Sequence, residues 1–591
     1  MNIQTFLEHH GIVRNPFAEE DAQTDQVFNE FCISSSYNPI WDKVYGDPAN
    51  PSTAMIFGPK GSGKTAMRLQ VDRHLQQYNK DNPNKRVFVI RYDDFNPFLD
   101  HFCERMSKRT SRRPDKVLDA WRLWDHMDSI LCLGVTELTD QIFAAGKKPD
   151  ATIQSNAIKK LDRTAARDML MLASCYDQST DTAFTARWKS LRKKLRYGNR
   201  KARRPWRFAW IWAFLVLAVF ALLYLRPNLE PAPVEESAEQ ATEEVTTDAW
   251  TQNTHLVALL QETQDETPSD DSAPAETAGA DPVDTAVADP AETGATESEG
   301  GFSGAWSFLT GLQINDYVNS VFGTQRPPTK YLWLLPLLLL LGALPFLVQW
   351  FKCHRLALGI RKHMRVGKRD VGSIRRVLQR IPGKELASQP LPRYDRTDDR
   401  YELLNKFQSV LSQLGYAGTI VLMDRVDEPH MTGGQPELMR RFVWPMLDNK
   451  LLKHPRLGFK MMLPQELHND MGRESREFHE RARLDKQNVI PAFQWTGESL
   501  YDLTRARMTA CAAEGKSPEP KDLFADDLEY QRLISTFKSL RVPRHLFRFL
   551  YRVLVDHCNR HTDADPSFEI SRETFETVHA VYDREANPSV G

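Results

Sequence analysis

Eight consecutive residues, Gly58-Pro59-Lys60-Gly61-Ser62-Gly63-Lys64-Thr65, carry the spacing G-x-x-x-x-G-K-[ST]. These residue types suit a bound phosphate chain. Glycines leave backbone N–H groups open to anionic oxygens, and a following helix adds the partial positive charge of its first turn. Lys64 is expected to reach the β- and γ-phosphates, and the Thr65 hydroxyl to bind Mg²⁺. The flanks agree. Ser52–Phe57 is a short apolar run before the loop, and apolar residues recur at 67, 69, 71 and 75 after it. Strand, loop and helix in that order are the required context; the alternative is a helix capped by a glycine turn.

A site of this kind needs a carboxylate from a second strand end to hold the metal. Thr419–Met423 reads as a buried parallel strand, and Asp424 follows it, where parallel sheets present their ligands. Asp427 or Glu428 is expected to orient an attacking water. The alternative is a surface turn that happens to be acidic. A third element is Val542-Pro543-Arg544. Proline opens a helix, which puts Arg544 in the first turn, where a cation opposes the helix dipole. Either Arg544 serves a nucleotide phosphate, or it is an ordinary surface arginine.

Thr65 and Asp424 stand 359 positions apart, too far for an ordinary connection within one sheet. The stretches 116–145 and 155–177 between them show the 3.6-residue period of helices. The expected fold class is therefore α/β: a P-loop NTPase parallel sheet of about five strands, split by a helical insertion with two transmembrane helices and followed by a C-terminal helical lid. Strand candidates are 53–57, 86–92, 419–423, 459–463 and 489–495. The expected layout is 1–205 for the first part of the NTPase domain with helical insertion, 206–225 and 331–351 for the transmembrane helices, and 226–330 for the loop between them. Residues 352–495 complete the NTPase domain and 496–591 form the lid.

The 591 residues include 77 Lys+Arg and 78 Asp+Glu, but this near-neutral sum hides a partition. Residues 227–330 hold 20 acidic residues and only two basic ones, Arg326 and Lys330. Phe208–Leu225 and Tyr331–Phe351 carry no charge and would span about 27 and 31 Å as helices, matching a hydrocarbon core of about 30 Å. Buried core helices are the alternative. Eleven basic residues lie between Arg187 and Arg207, and seven follow the second stretch from Lys352 to Arg369. The positive-inside rule puts both flanks in the cytoplasm and the acidic loop 226–330 outside, in a plasma or inner membrane. Within that loop 231–300 is expected to be disordered, and 302–322 to be a surface helix or a poorly folded hinge. The basic run 187–207 is better explained by topology and anionic lipid than by nucleic acid. Seven scattered cysteines without C-x-x-C spacing exclude a zinc ribbon and a disulfide scaffold. Apolar content of 41% excludes wholesale disorder.

GPKGSGKT, the inserted apolar pair and Val421-Leu-Met-Asp-Arg-Val-Asp-Glu428 resemble the KAP family of P-loop NTPases, within the wider STAND group. The acidic motif of that family usually reads Asp-Asp-Leu-Asp-Arg. Here Arg425 replaces the second aspartate and Glu428 the arginine, so that Asp427-Glu428 is closer to the Asp-Gly-Leu-Asp-Glu of the related NACHT group. Val542-Pro-Arg-His-Leu is similar to the lid helix of AAA-like relatives, which implies that Arg544 senses the γ-phosphate. The resemblance also implies ATP rather than GTP, and a nucleotide-driven switch in membrane signalling or in defence against phage or plasmids.

The expected function is a membrane-anchored ATPase whose cycle switches conformation or assembly. Lys64, Asp427, Glu428 and Arg544 are its candidate catalytic residues, Gly58 to Thr65 its nucleotide loop, and Thr65 and Asp424 its metal ligands. The expected partner is a second copy of the chain or a cytoplasmic protein. The alternative is a nucleotide-binding scaffold or receptor with little hydrolysis, because Arg425 beside Asp424 would weaken the metal site. A transporter is disfavoured, since neither apolar stretch carries a charge.

Overall fold

Five apolar runs form one sheet. β1 (Ala54–Gly58), β2 (Arg86–Tyr92), β3 (Tyr416–Met423), β4 (Leu457–Pro464) and β5 (Asn488–Ile490) lie in the order β2-β3-β4-β1-β5, with every neighbour parallel. The computed structural model describes residues 1–32, 38–147, 152–179, 183–198, 204–224, 334–387 and 389–586. These divide into two compact units, Met1–Ile211 with Leu341–Gly591, and Trp212–Leu340.

Successive side chains of a strand face opposite ways, so a parallel sheet buries both faces. Met55 and Phe57 of β1, with Val421 and Met423 of β3, enter one core; Ala54, Ile56, Ile420 and Leu422 enter another. Helix α1 (Lys64–Asp81) covers the second core with Met67, Val71 and Leu75, spaced four apart on one side. The first core is covered by the residues between β2 and β3, chiefly α2 (Leu123–Ala144), α3 (Arg163–Tyr176) and Thr397–Gln413. The chain thus leaves the sheet after β2, builds a helical layer, and returns to pair β3 directly against β2.

Several expected bounds move. The helix expected over 116–145 breaks at Trp121, because the Asp125 carboxylate accepts the Arg122 N–H at 2.8 Å and starts α2 anew. The one expected over 155–177 breaks where Asp162 caps α3, accepting the Ala165 N–H at 2.5 Å. β5 stops at Ile490, since Pro491 has no N–H for the ladder. Residues 6–32 find their core mainly with the C-terminal helices, Ala66 and Leu69 of the expected 1–205 segment packing at its margin. Phe6, Leu7, Ile12 and Phe17 share a core with Leu500, Phe537 and Phe549 of the C-terminal helices. Arg187, expected in the membrane-flanking basic run, is buried in ion pairs with Asp177 and Asp140, both at 2.7 Å.

The two apolar stretches are helical, as α4 (Arg204–Tyr224) and α5 (Leu334–His363). Among the described residues only α5 is long and apolar enough to cross a membrane, by length and composition; the apolar part of α4, Arg207–Ala221, is shorter. The expected pair of spans is therefore reduced to one. α5 also runs past Phe351, its expected end, and Cys353, Ala357 and Ile360 enter the first core. The acidic loop with its expected disorder and surface helix lies outside the described residues, as does 199–203 of the basic run.

Candidate functional site

A parallel sheet brings its strand ends to one edge, and here Gly58 of β1 pairs in register with Pro464 of β4, and Met423 of β3 with Met461. From β1 the chain turns through Gly61 at φ +85° and Gly63 at φ +95°, a left-handed backbone that glycine takes without strain. A Cβ on Gly61 would lie 2.8 Å from the Arg544 Cβ, and one on Gly58 would lie 2.7 Å from Ser62 Oγ. The Trp495 indole donates to the Ser62 carbonyl at 2.8 Å and pins the turn from the far side. α1 then begins at Lys64, with Gly63 as its N-cap.

Lys64 Nζ donates to the Gly58 and Pro59 carbonyls at 2.7 and 2.9 Å. Burial pushes its pKa down; Asp424, Asp427 and Glu466 oppose that fall, and Arg544 adds to it. Asp424, only 2% exposed, stands at the end of β3 and lines the same cavity as Thr65. Its own burial raises its carboxyl pKa against the pull of Arg68, Thr65 and Lys64. The surface-turn alternative for this acid is excluded by that burial.

The two candidates for orienting water differ. Glu428 is exposed and held by Arg425, Nη2 to Oε2 at 2.5 Å. Asp427 is half-buried and lies near enough to Lys64 to affect its charge. Arg425 itself sits at φ +62°, an uncommon backbone for a residue with a Cβ, and also donates to Gln23 Oε1 at 3.2 Å. Arg544 occupies the first turn of α6 (Pro543–Arg560), its N–H directed at the Gly61 carbonyl at 3.4 Å. Its Nε is buried without a partner, which is not the setting of an ordinary surface arginine.

Lys60, Gly61, Gly63, Lys64, Thr65, Asp424, Asp427, Glu428 and Arg544 all line one cavity of about 170 Å³. Gly58, Pro59 and Ser62 stand behind it, the first two holding Lys64 and the third buried. Asp424 Oδ2 and Ser62 Oγ are buried without a hydrogen bond. Buried polar atoms are nearly always paired, so Asp424 Oδ2, which lines the cavity, marks where a further group would fit. An acceptor oxygen beside a hydroxyl and an ammonium suits a divalent cation with a phosphate chain. Among the described residues no cluster of three or more His, Cys, Asp or Glu is arranged to hold a metal by itself.

Four contributors had not been expected. Arg68 reaches Asp424 from α1, and Glu466, just beyond the apolar run of β4, acts on Lys64. Trp495 holds the loop, and Gln23, from the N-terminal segment, holds Arg425. Only Glu466 had a legible signal, an acid following a strand-like run as Asp424 does. No protein-family profile, no curated protein and no solved structure matches this chain.

Proposed function

We propose that the chain binds MgATP at the sheet edge and hydrolyses it, using the cycle to switch its conformation or assembly. What carries this reading is the convergence of Lys64, Thr65 and Asp424 on one cavity, with Asp424 Oδ2 buried there without a hydrogen bond. Gly58 to Thr65 wrap the phosphates, whose oxygens take the N–H groups of the turn. Lys64 leaves the loop carbonyls for the β- and γ-phosphates. Thr65 and Asp424 hold Mg²⁺, which when bound neutralises charge on the phosphate oxygens. Asp427 orients the attacking water, since the Glu428 carboxylate already belongs to Arg425. Arg544 contacts the γ-phosphate and couples its presence to α6. ATP is preferred to GTP on the KAP and STAND resemblance alone.

In this reading α5 crosses the membrane, with the chain that follows it cytoplasmic and 226–330 outside. The Trp212 indole donates to the Leu338 carbonyl at 2.9 Å, holding the two helices side by side. Phe214, Leu340 and Leu341 are more than half exposed, as lipid-facing residues would be. The switch would act on a second copy or a cytoplasmic protein, in signalling or defence. Phosphate release by the detergent-solubilised chain, wild type beside Lys64→Ala with ATP and GTP compared, tests the central claim. Equal release by the two proteins would sink it.

The Arg425–Glu428 pair favours a second reading, a nucleotide-binding scaffold or receptor that scarcely hydrolyses. A rise in melting temperature with ATP, without phosphate release, would establish that version instead.

A further inference from the structure

Asp93 and Asp424 leave neighbouring strands at the same level. Tyr92 and Met423 are register partners across β2 and β3, and each aspartate is the next residue. Two adjacent carboxylates repel each other, and left alone they would attract a divalent cation. Arg68, four residues after Lys64 on α1, reaches between them. Its Nη1 pairs with Asp93 Oδ2 at 3.0 Å, while its Nε faces Asp424 Oδ2 at 3.4 Å. The second contact is not a hydrogen bond, for both of its atoms are unpartnered among the described residues. Arg68 therefore pairs with both carboxylates, more closely with Asp93 than with Asp424.

We propose that Arg68 is the resident cation of this carboxylate pair and keeps Asp424 closed to a bare divalent ion until nucleotide phosphates are present. The inference rests on the MgATP reading above. A bare ion would have to displace a buried guanidinium, and no three-carboxylate cluster among the described residues compensates it. Phosphate oxygens supply both ligands and negative charge, and Arg68 keeps Asp93 as its partner when it yields Oδ2. Arg68 is thus a positioning residue that makes metal binding conditional on nucleotide.

Mn²⁺ titration of the detergent-solubilised full chain, followed by the EPR signal of the free ion with and without a non-hydrolysable ATP analogue, tests this apart from turnover. Wild type should bind Mn²⁺ about tenfold or more tightly with the analogue than without it. Arg68→Gln should close that gap by tightening nucleotide-free binding about tenfold. Asp93→Asn leaves the guanidinium to Asp424 alone, and should weaken binding in the presence of the analogue by about threefold or more. It carries the test if Arg68→Gln fails to fold. Arg68→Gln that binds bare Mn²⁺ no tighter than wild type, or Asp93→Asn that matches wild type, would overturn the proposal. Wild type that binds neither analogue nor Mn²⁺ would reject the nucleotide reading itself.

Discussion

The Asp128–Arg400 cluster of the helical layer and the sheet edge both bury charge, but they finish it differently. In the layer, Asp128 and Arg400 are fully buried and meet at 3.1 Å; Tyr176 donates to Asp128 at 2.7 Å, and Arg400 also donates to the His363 carbonyl at 3.1 Å. Arg187 between Asp177 and Asp140 is similarly complete. At the sheet edge, Asp424 Oδ2, Ser62 Oγ, Arg68 Nε and Arg544 Nε have no hydrogen bond. The residue types are the same. Completed pairs hold the fold in one register, whereas an incomplete set leaves polar atoms with which a ligand can pair.

The sharpest way to break this comparison is to remove one carboxylate from each region. Asp128→Ala leaves Arg400 buried and uncompensated, which should cost about 3–5 kcal/mol. The detergent-solubilised protein should melt well below wild type, and Asp128→Ala with Arg400→Leu should recover much of the loss. Asp424→Asn, by contrast, removes a buried charge that lacks full pairing, so its melting temperature should equal or exceed that of wild type. Equal losses at the two sites would mean that completeness does not distinguish them.

Next in size is a comparison within the site. Asp427→Asn should lower phosphate release about 100-fold while leaving ATP-dependent stabilisation intact. Glu428→Gln should change release by less than about threefold, because its carboxylate is engaged by Arg425. The reverse order of effects would return the water-orienting role to Glu428.

How far the fold was legible follows from which interactions are local. β2 was found over its full length, and β1, β3 and β4 within three residues at either end, because buried parallel strands are short apolar runs bounded by polar ones. Lys64, Thr65 and Asp424 announced themselves by spacing. Arg68 did not, since an arginine on an amphipathic helix looks the same whether it meets water or a carboxylate on another strand. Nor could Trp495, whose hydrogen bond to Ser62 spans 433 positions. The membership of residues 6–32 in the C-terminal core was equally hidden, because apolar residues do not state which distant face they will cover. The break at Trp121 was missed because Asp125 acts as a cap through its side chain, against the apolar period on both sides of it.

Lys460 separates an incomplete charge from a functional one. It lies on β4, 1% exposed, with its Nζ unpartnered, and burial pushes its pKa down to about 8. It does not line the cavity at the sheet edge. The unfolded chain keeps this proton to about pH 10.4, so between about pH 8 and 10.4 the unfolded state binds more protons and stability rises with pH. Below pH 8 the buried cation is a full penalty. Lys460→Met should therefore raise stability near neutral pH by about 2 kcal/mol and flatten its rise above pH 8, without altering ATP binding. Denaturant melts at pH 7 and pH 9.5 measure this. Lost ATP binding in Lys460→Met would mean that an unpartnered charge away from the cavity also serves the site.

The smallest expected effect tests whether the glycine loop 58–65 is itself finished by a local bond. Trp495→Phe keeps the ring against Gly63 but removes the donor to the Ser62 carbonyl, an interaction worth about 1 kcal/mol. The loop backbone would then be free to turn that carbonyl, and the N–H groups beside it, away from the phosphates. ATP affinity should fall about fivefold, with global melting shifted by no more than about 2 °C. A melting loss without an affinity loss would place Trp495 with the completed pairs of the helical layer. An affinity loss alone would show that the rigidity of the loop, and not only the side chains lining the cavity, belongs to the site.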